Sequence, residues 1–546
     1  MSNYKLPKLI KPEPLKEKQI YLLASGNMRE ARNRDTWSDQ NALEQTLVKV
    51  FAEEGYDLIR AFPFHPVLGH GHITGQRHGM DIFKQIHPEA PLVIAISAWQ
   101  CSSHILPGLR DHKGPILTIS NWSGKWPGLV GLLNLNGSLT KMGTPYSTLW
   151  SKDFDDSFFI SQLRNWLYSG IINNDESHVK NWCPDSTSEE IHLGEALAKE
   201  LLQNKAIMGV FDEGCLGMYN AIIEDELLNR IGIYKERLSQ ATLAAAMFEV
   251  TTKEAEEVRN WLEAKGFKFI VGSNPEEDLT DHQIQEQCKM YIAAMRMAAQ
   301  YHCDAIGIQY QDGLKDLAPA SDLAEGLLNN PNRPPVYDTH KGKELFAKDA
   351  LPHFNEADEG AGIDMIINHR IWNAMKMDPS TTLHDVRWGE HYTGQNIDDF
   401  VWVFMISGAI PASHIDGGYA KAVSERQPPG AFPSGGGSLK GVGKPGEIVW
   451  SRVYIDKKDL HVDLGLATAV SLPEVEVNRR WQLTTPSWPI LNAVLHGISR
   501  DQFMGRHKSN HITVTYAPTA AQANQALTVK AAMMHALGFK VHLCGV

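Results

Sequence analysis

Cysteine is scarce in this sequence and nowhere arranged for metal or redox work. The six residues, Cys101, Cys183, Cys215, Cys288, Cys303 and Cys544, form no CxxC pair. That argues against zinc ribbons and dithiol redox motifs and suits reduced thiols acting as small buried apolar groups in a reducing compartment. Positive charge is also short: 52 Lys and Arg face 64 Asp and Glu, a net charge of −12, which argues against a protein built to track a phosphate backbone. Long hydrophobic runs are missing. VWVFMISGAIPA at 401–412 falls short of the roughly 18 apolar residues a membrane-spanning helix needs. The opening MSNYKLPKLIKPEPLKEK is basic and proline-interrupted, without the apolar core of a signal peptide. A cytoplasmic protein is the expectation. Nor is a nucleotide-cradling loop present, since SGGGSLKGVGKPG lacks the GxxxxGK[ST] spacing and a helix to follow it.

What the sequence does have is ample apolar material, 43% hydrophobic against 21% charged over 546 residues. That length exceeds what one core usually organises, so two or three domains are expected. The short apolar runs QIYLLAS (19–25), PLVIAIS (91–97) and GPILTIS (114–120) alternate with helical or loop stretches, as at 40–54, the pattern of buried parallel strands. A second such set follows INNDESHVKNW. It comprises a helix over 189–203, the strand AIMGVF (206–211), a helix through MYNAIIEDELL, the strand FKFIVG (267–272), a helix over 288–302 and the strand DAIGIQYQ (304–311). Beyond residue 350 glycine, proline and short β-branched runs take over, among them GEIVWSRVYI, DLHVDLG and HITVTYA. The expected fold class is therefore α/β. Two N-terminal α/β domains with parallel sheets, residues 1–174 and 175–350, precede a β-rich C-terminal domain, residues 351–546.

Chemistry concentrates in that last part. HFNEADEGAGIDMIINHRIW brings Glu356, Asp358 and Glu359 close together, and three acids on one loop repel each other unless something positive offsets them. LHDVRWGEHY presents Asp385, pointing opposite to Val386 if the run is a strand, and KSNHITVTY presents His511 at the start of another. Two carboxylates and one imidazole, with positions left open, suit a divalent ion such as manganese acting as a Lewis acid.

With these segments in view, the chain resembles the L-fucose/L-arabinose isomerase family from about residue 90 to the C-terminus. The matches are ordered: SAWQ (97–100), KWPGLVGLLNLNGSLTKMGTPYS, IQYQ with the later DLAEGLLN, NEADEGAGIDMIINH, HDVRW, FPSGGGS, VWSRV and SNH. The resemblance implies a fucose isomerase-like fold of three domains and a homohexamer in which N-terminal residues of one subunit cover the site of another. It places the metal ligands on Glu356, Asp385 and His511, with manganese as the ion and magnesium or cobalt as substitutes. The implied reaction is aldose–ketose isomerisation through a cis-enediol, with Glu356 and Asp385 sharing the proton transfers.

Further residues are candidates for the sugar. Gln309 and Gln311 alternate in IQYQ and either bond sugar hydroxyls from one face of a strand or are sheet-surface polar groups. Trp99 either stacks on a sugar face or belongs to a core. Asn510 neighbours His511 as a possible substrate contact. Where relatives of this kind carry an aromatic hydroxyl after the triple glycine, this chain has Ser438, followed by Lys440. A smaller side chain beside a cation suits an anionic hexose such as sulfoquinovose. The early segments MREARNR and HPVLGHGHITGQRHGMD supply Arg29, Arg32, Arg34, His65, His70, His72, Arg77 and His78. They are either anion-binding donors or solvated loop residues, and they lack zinc-site spacing. Asp212 and Glu213 fit a turn after a strand and stay outside the site. The rival readings are a two-carboxylate glycoside hydrolase and a non-catalytic sugar-binding protein.

Overall fold

A run such as LVIAI, apolar at every position, suits a strand covered on both faces, and it forms the centre of the first sheet. The computed structural model describes residues 8–184, 187–340 and 342–546, without the side chain of Cys215. The first seven residues of the basic N-terminal stretch thus lie outside the described residues. The chain divides into two compact units, Met1–Asn173 and Asn174–Val546. In the first, β1 (Gln19–Leu23), β2 (Asp57–Arg60), β3 (Leu92–Ile96), β4 (Ile116–Asn121) and β5 (Ser147–Ser151) form a parallel sheet in the order β2-β1-β3-β4-β5. β3 is buried along its whole length. The helix expected over 40–54 runs from Glu30 to Glu53. Its first half was hidden because its buried positions there are Asn33, Thr36 and Gln40, polar residues that break the apolar period. Gln40 donates to the Ala95 carbonyl at 3.0 Å, and Asn33 to that of Asn27 at 3.0 Å.

The second unit contains β6 (Val179–Asn181), β7 (Ala206–Phe211), β8 (Ile233–Leu238), β9 (Lys268–Phe269), β10 (Ala305–Ile308), β11 (Thr381–Gly394), β12 (Ile397–Met405), β13 (Val423–Ser424), β14 (Gly446–Asp456), β15 (Asp459–Ala469), β16 (Ile490–Leu495), β17 (His511–Ala517) and β18 (Lys540–Cys544). Three form a parallel sheet, β10-β7-β8. Eight run in the order β14-β17-β11-β12-β16-β15-β18-β6, and pairing of β14 with β15 closes the first six into an antiparallel barrel-like ring. Its β11–β12 and β14–β15 hairpins turn through the pairs Gln395–Asn396 and Lys457–Lys458, all four at positive φ, as two-residue turns that match strand twist require. The helix Ala520–Ala536 lies against the helix Glu189–Asn204 so closely that a Cβ on Gly194 would stand 2.5 Å from the Val529 carbonyl oxygen. One apolar core joins residues of both ranges expected as separate domains, from Leu201 and Met208 to Ile366, Val453 and Met533.

Three expected elements differ. MYNAIIEDELL is a short turn, Tyr219–Ala221, and a separate helix, Asp225–Arg230, because the Ile223 amide between them donates to the Glu359 carboxylate at 2.6 Å instead of to a helical carbonyl. FKFIVG forms a strand only at Lys268 and Phe269, where β13 lies alongside, continues as an isolated bridge between Val271 and Leu279, and leaves Ile270 and Val271 exposed. DAIGIQYQ stops being a strand at Ile308, and Tyr310 follows at φ 55°. Four cysteines, Cys101, Cys288, Cys303 and Cys544, are buried and outside any disulfide, while Cys183 is exposed. Among the described residues no helix is long and apolar enough to cross a membrane.

Candidate metal centre

Strand register brings the first two site residues together. Asp385 on β11 is the direct cross-strand partner of His511 on β17, and paired residues of antiparallel strands project from the same face. A bulge between Val386 and Trp388 follows immediately, the kind of irregularity that re-aims side chains beside functional sites. The third residue arrives on a strained turn. Asn355–Ala357 is a single helical turn in which Glu356 has φ 57° and Ala357 φ 51°, a left-handed backbone costing non-glycine residues about 1–2 kcal/mol each. Phe354, just before it, packs its ring against Gly307 of β10, where a Cβ would lie 2.1 Å from the ring.

The three side chains converge on one atom. Nε2 of His511 lies 3.4 Å from Asp385 Oδ1 and 3.7 Å from Glu356 Oε2. His511 is fully buried, and the side chains of Asp385 and Glu356 are 11% and 15% exposed, so the carboxylates face the approach and the imidazole stands behind them. At 3.4 Å the Asp385 contact is long and misaligned for a hydrogen bond, and Nε2 has no hydrogen-bond partner.

The other ring nitrogen is firmly held. His511 Nδ1 lies 2.7 Å from Asp358 Oδ2. Arg452 grips both oxygens of Asp358, Nη1 to Oδ2 at 2.7 Å and Nη2 to Oδ1 at 3.1 Å. Oδ1 also caps the following helix, Glu359–Ala374, by accepting from the Ala361 amide at 3.1 Å. Burial opposes the charge on Asp358, but Arg452 and His511 hold its carboxyl far below the usual range. Burial alone would push the His511 imidazole down, yet the hydrogen bond to Asp358 and the charges of Asp358 and Asp385 raise it to about 10. The pocket therefore favours positive charge on or beside Nε2.

The acidic loop divides its three charges among three destinations. Glu356 turns to the site, Asp358 goes to Arg452 and His511, and Glu359 goes to the buried ammonium of Lys235 at 2.8 Å. Asp358 was visible in the sequence only as one of three acids, and Arg452 and Lys235 were missed. A signal existed for Arg452, an arginine inside the otherwise apolar strand GEIVWSRVYI, since a buried cation demands a buried anion.

Donor atoms held to one ion by bonds of about 2.1 Å stand about 3 to 3.5 Å apart. Among the described residues no three His, Cys, Asp or Glu side chains are already gathered as around a bound ion. Here the 3.4 Å spacing of Asp385 falls within that range, and the 3.7 Å of Glu356 lies just beyond it. The orphaned Nε2, the oxygen–oxygen–nitrogen donor set and a carboxylate fixing the far side of the imidazole all suit a hard or borderline divalent ion.

The remaining candidates are placed less uniformly. Gln309 and Gln311 follow β10 and do not alternate on it. Gln309 Oε1 accepts from the Asp312 amide at 2.8 Å, while the buried Gln311 Oε1 has no partner. Asn510 is fully buried, donates to Met218 Sδ at 3.1 Å and accepts from Asn220 at 3.4 Å. Ser438 donates its hydroxyl to the Ser487 carbonyl at 2.9 Å. Lys440 pairs with Glu425 at 2.9 Å and lies over the Trp481 ring, its nitrogen 4.6 Å from the centroid. Both side chains thus already have intramolecular partners. Trp99 is half-buried in the first unit, just after β3, with Nε1 unpartnered. Among the early basic residues, Arg34 and His70 both meet Glu30, Arg32 meets Asp35, and His72 Nδ1 lies 3.1 Å from the Ser25 carbonyl. Asp212 receives Gln240 and Glu213 pairs with Lys235 beyond the end of β7. No family model matches this chain, and no curated protein matches it.

Proposed function

We propose that the protein is a divalent-metal-dependent aldose–ketose isomerase of the L-fucose isomerase kind, acting on a hexose-type sugar through a cis-enediol. The observation that carries this reading is the buried, unpartnered Nε2 of His511 with two partly reachable carboxylates 3.4 and 3.7 Å away. Glu356, Asp385 and His511 would hold manganese, or magnesium or cobalt in its place, and the ion would polarise the sugar's carbonyl and neighbouring hydroxyl. Asp358 fixes the imidazole so that the Nδ1 proton points at its carboxylate and the Nε2 lone pair faces the site. One of Glu356 and Asp385 takes the proton from C2 and returns one to C1, and the other moves the proton between the two oxygens. The substrate class extends from L-fucose and D-arabinose to an anionic hexose such as sulfoquinovose, which would give sulfofructose. For the anionic sugar, Lys440 would exchange Glu425 for the sulfonate. A cytoplasmic homohexamer belongs to the same proposal, and light scattering measures its subunit count.

The test is proton NMR in deuterated buffer. Chelator-stripped protein, with and without added manganese, is offered L-fucose, D-arabinose, glucose and sulfoquinovose, and the metal is removed before spectra are taken. Metal-dependent ketose formation with exchange at C2 is expected for at least one sugar. If metal-loaded protein converts none of them, the isomerase reading falls in favour of a sugar-binding protein or a metal-free hydrolase.

A further inference from the structure

Two buried acids that the proposed chemistry does not use lie behind the metal centre. Asp322 and Glu325, on the short helix Asp322–Leu328, are 2% and 3% exposed; among the described residues no Lys or Arg forms an ion pair with either, and the imidazole Nδ1 of His353 lies 3.9 Å from Glu325. Glu325 touches a segment that carries a proposed ligand. Glu325 accepts from the Ser321 hydroxyl and from the Asn355 amide nitrogen, both at close range, and Asn355 immediately precedes Glu356. Asp322 Oδ2 is buried without a partner.

The turn at Glu356 and Ala357 needs such support. Two successive left-handed non-glycine residues persist only where the surroundings over-determine them. Phe354 in the notch of Gly307 secures one side of the turn and the Asp358 cap the other. The Asn355 side chain, 1% exposed, secures the middle through Glu325.

We propose that Glu325 is a positioning residue of the metal centre, its carboxyl group holding the Asn355–Glu356 turn through the Asn355 side chain. This rests on the metal-centre reading above. Burial supports an uncharged pair: it pushes Glu325 up to about 8, with the charge of Glu356 adding to it, and raises Asp322 well above the usual carboxyl range, with the charges of Glu325 and Glu356 adding to it. An uncharged carboxyl anchors the turn by hydrogen bonding without adding negative charge next to Glu356. An amide at position 325 therefore does the same work, and an alanine does not.

The experiment is manganese titration calorimetry on the full-length protein at pH 7, alongside the metal-free thermal midpoint. Glu325→Ala and Asn355→Ala remove the same hydrogen bond from opposite ends. Each is expected to weaken manganese binding at least about tenfold, while Glu325→Gln stays within about threefold of wild type, as for residues that orient metal ligands. A folded Glu325→Ala or Asn355→Ala protein that binds manganese like wild type overturns the inference alone. So does a Glu325→Gln protein as weak as Glu325→Ala. If both alanine variants fail to fold, Glu325 is a folding element and the positioning role falls. Wild-type protein that binds none of manganese, magnesium or cobalt overturns the metal-centre reading and this inference with it.

Discussion

Asp358 shows how much one side chain decides here. Its two oxygens receive the His511 ring, both Nη atoms of Arg452 and a helix N-terminal amide. Helix start, imidazole orientation and buried charge balance therefore rest on one carboxylate. Removing its cation is costly, because an unpaired buried charge destabilises by about 3–5 kcal/mol. Arg452→Met is accordingly expected to lower stability by that amount in denaturant unfolding, and an unchanged midpoint would contradict the pairing. The outward carboxylates behave differently. Glu356→Gln and Asp385→Asn remove charge at partly exposed atoms, so each should leave the unfolding midpoint near wild type. Each should also cut turnover by at least about 100-fold, the scale expected for a group that acts as base. Near-normal kcat in both would remove them from the site.

At the scale of elements, the centre depends on two placements that periodicity does not encode. One is the β11–β17 register, which sets Asp385 opposite His511. A slip of one residue would send the two to opposite faces. The other is the approach of the 354–357 segment to β10, where Gly307 leaves room for the Phe354 ring. Gly307→Ala puts a methyl group 2.1 Å from that ring and is expected to destabilise the protein by about 1–3 kcal/mol through overpacking. Because the displaced segment carries Glu356, manganese affinity should fall with it. Loss of stability with unaltered affinity would show the turn to be held independently of Phe354. The same distinction explains which elements were readable. The strands AIMGVF, GEIVWSRVYI and HITVTYA satisfy their pattern against neighbours along their whole length. FKFIVG has the composition of a strand but finds a strand partner for only Lys268 and Phe269, with one isolated bridge at Val271 beyond them.

At the scale of the whole molecule, several histidines are locked neutral in the interior. Burial drives His72, His353 and His414 down to about 3 and His461 to about 4, against about 6.5 in an unfolded chain. As pH falls below about 6.5 the unfolded chain takes up these protons and the folded one does not, so stability is lost progressively toward pH 3–4, by up to about 2 kcal/mol per histidine at pH 5. His511, raised to about 10, works in the opposite sense, its contribution being complete below about 6.5 and lost as pH rises through 10. Over the same range Glu325, raised to about 8, and Glu359, raised to about 7, gain stability as pH falls, so the histidine term is read by difference: His72→Gln should shrink the fall, or enlarge the rise, of the metal-free thermal midpoint from pH 7 to pH 5, and an unchanged pH profile would contradict the neutral burial of that ring. The sequence by itself determined the α/β character of the chain, its parallel sheets, its β-rich C-terminal strands and the side chains that bear the proposed chemistry, because apolar period and residue type are local properties. Tertiary structure alone decided that residues far apart in sequence share one core. It likewise decided that the three loop acids part toward three different partners and that Asp358, Arg452 and Glu325 stand behind the ligands. A buried charge or a strained turn is tolerated only for what surrounds it, and those surroundings come from distant parts of the chain.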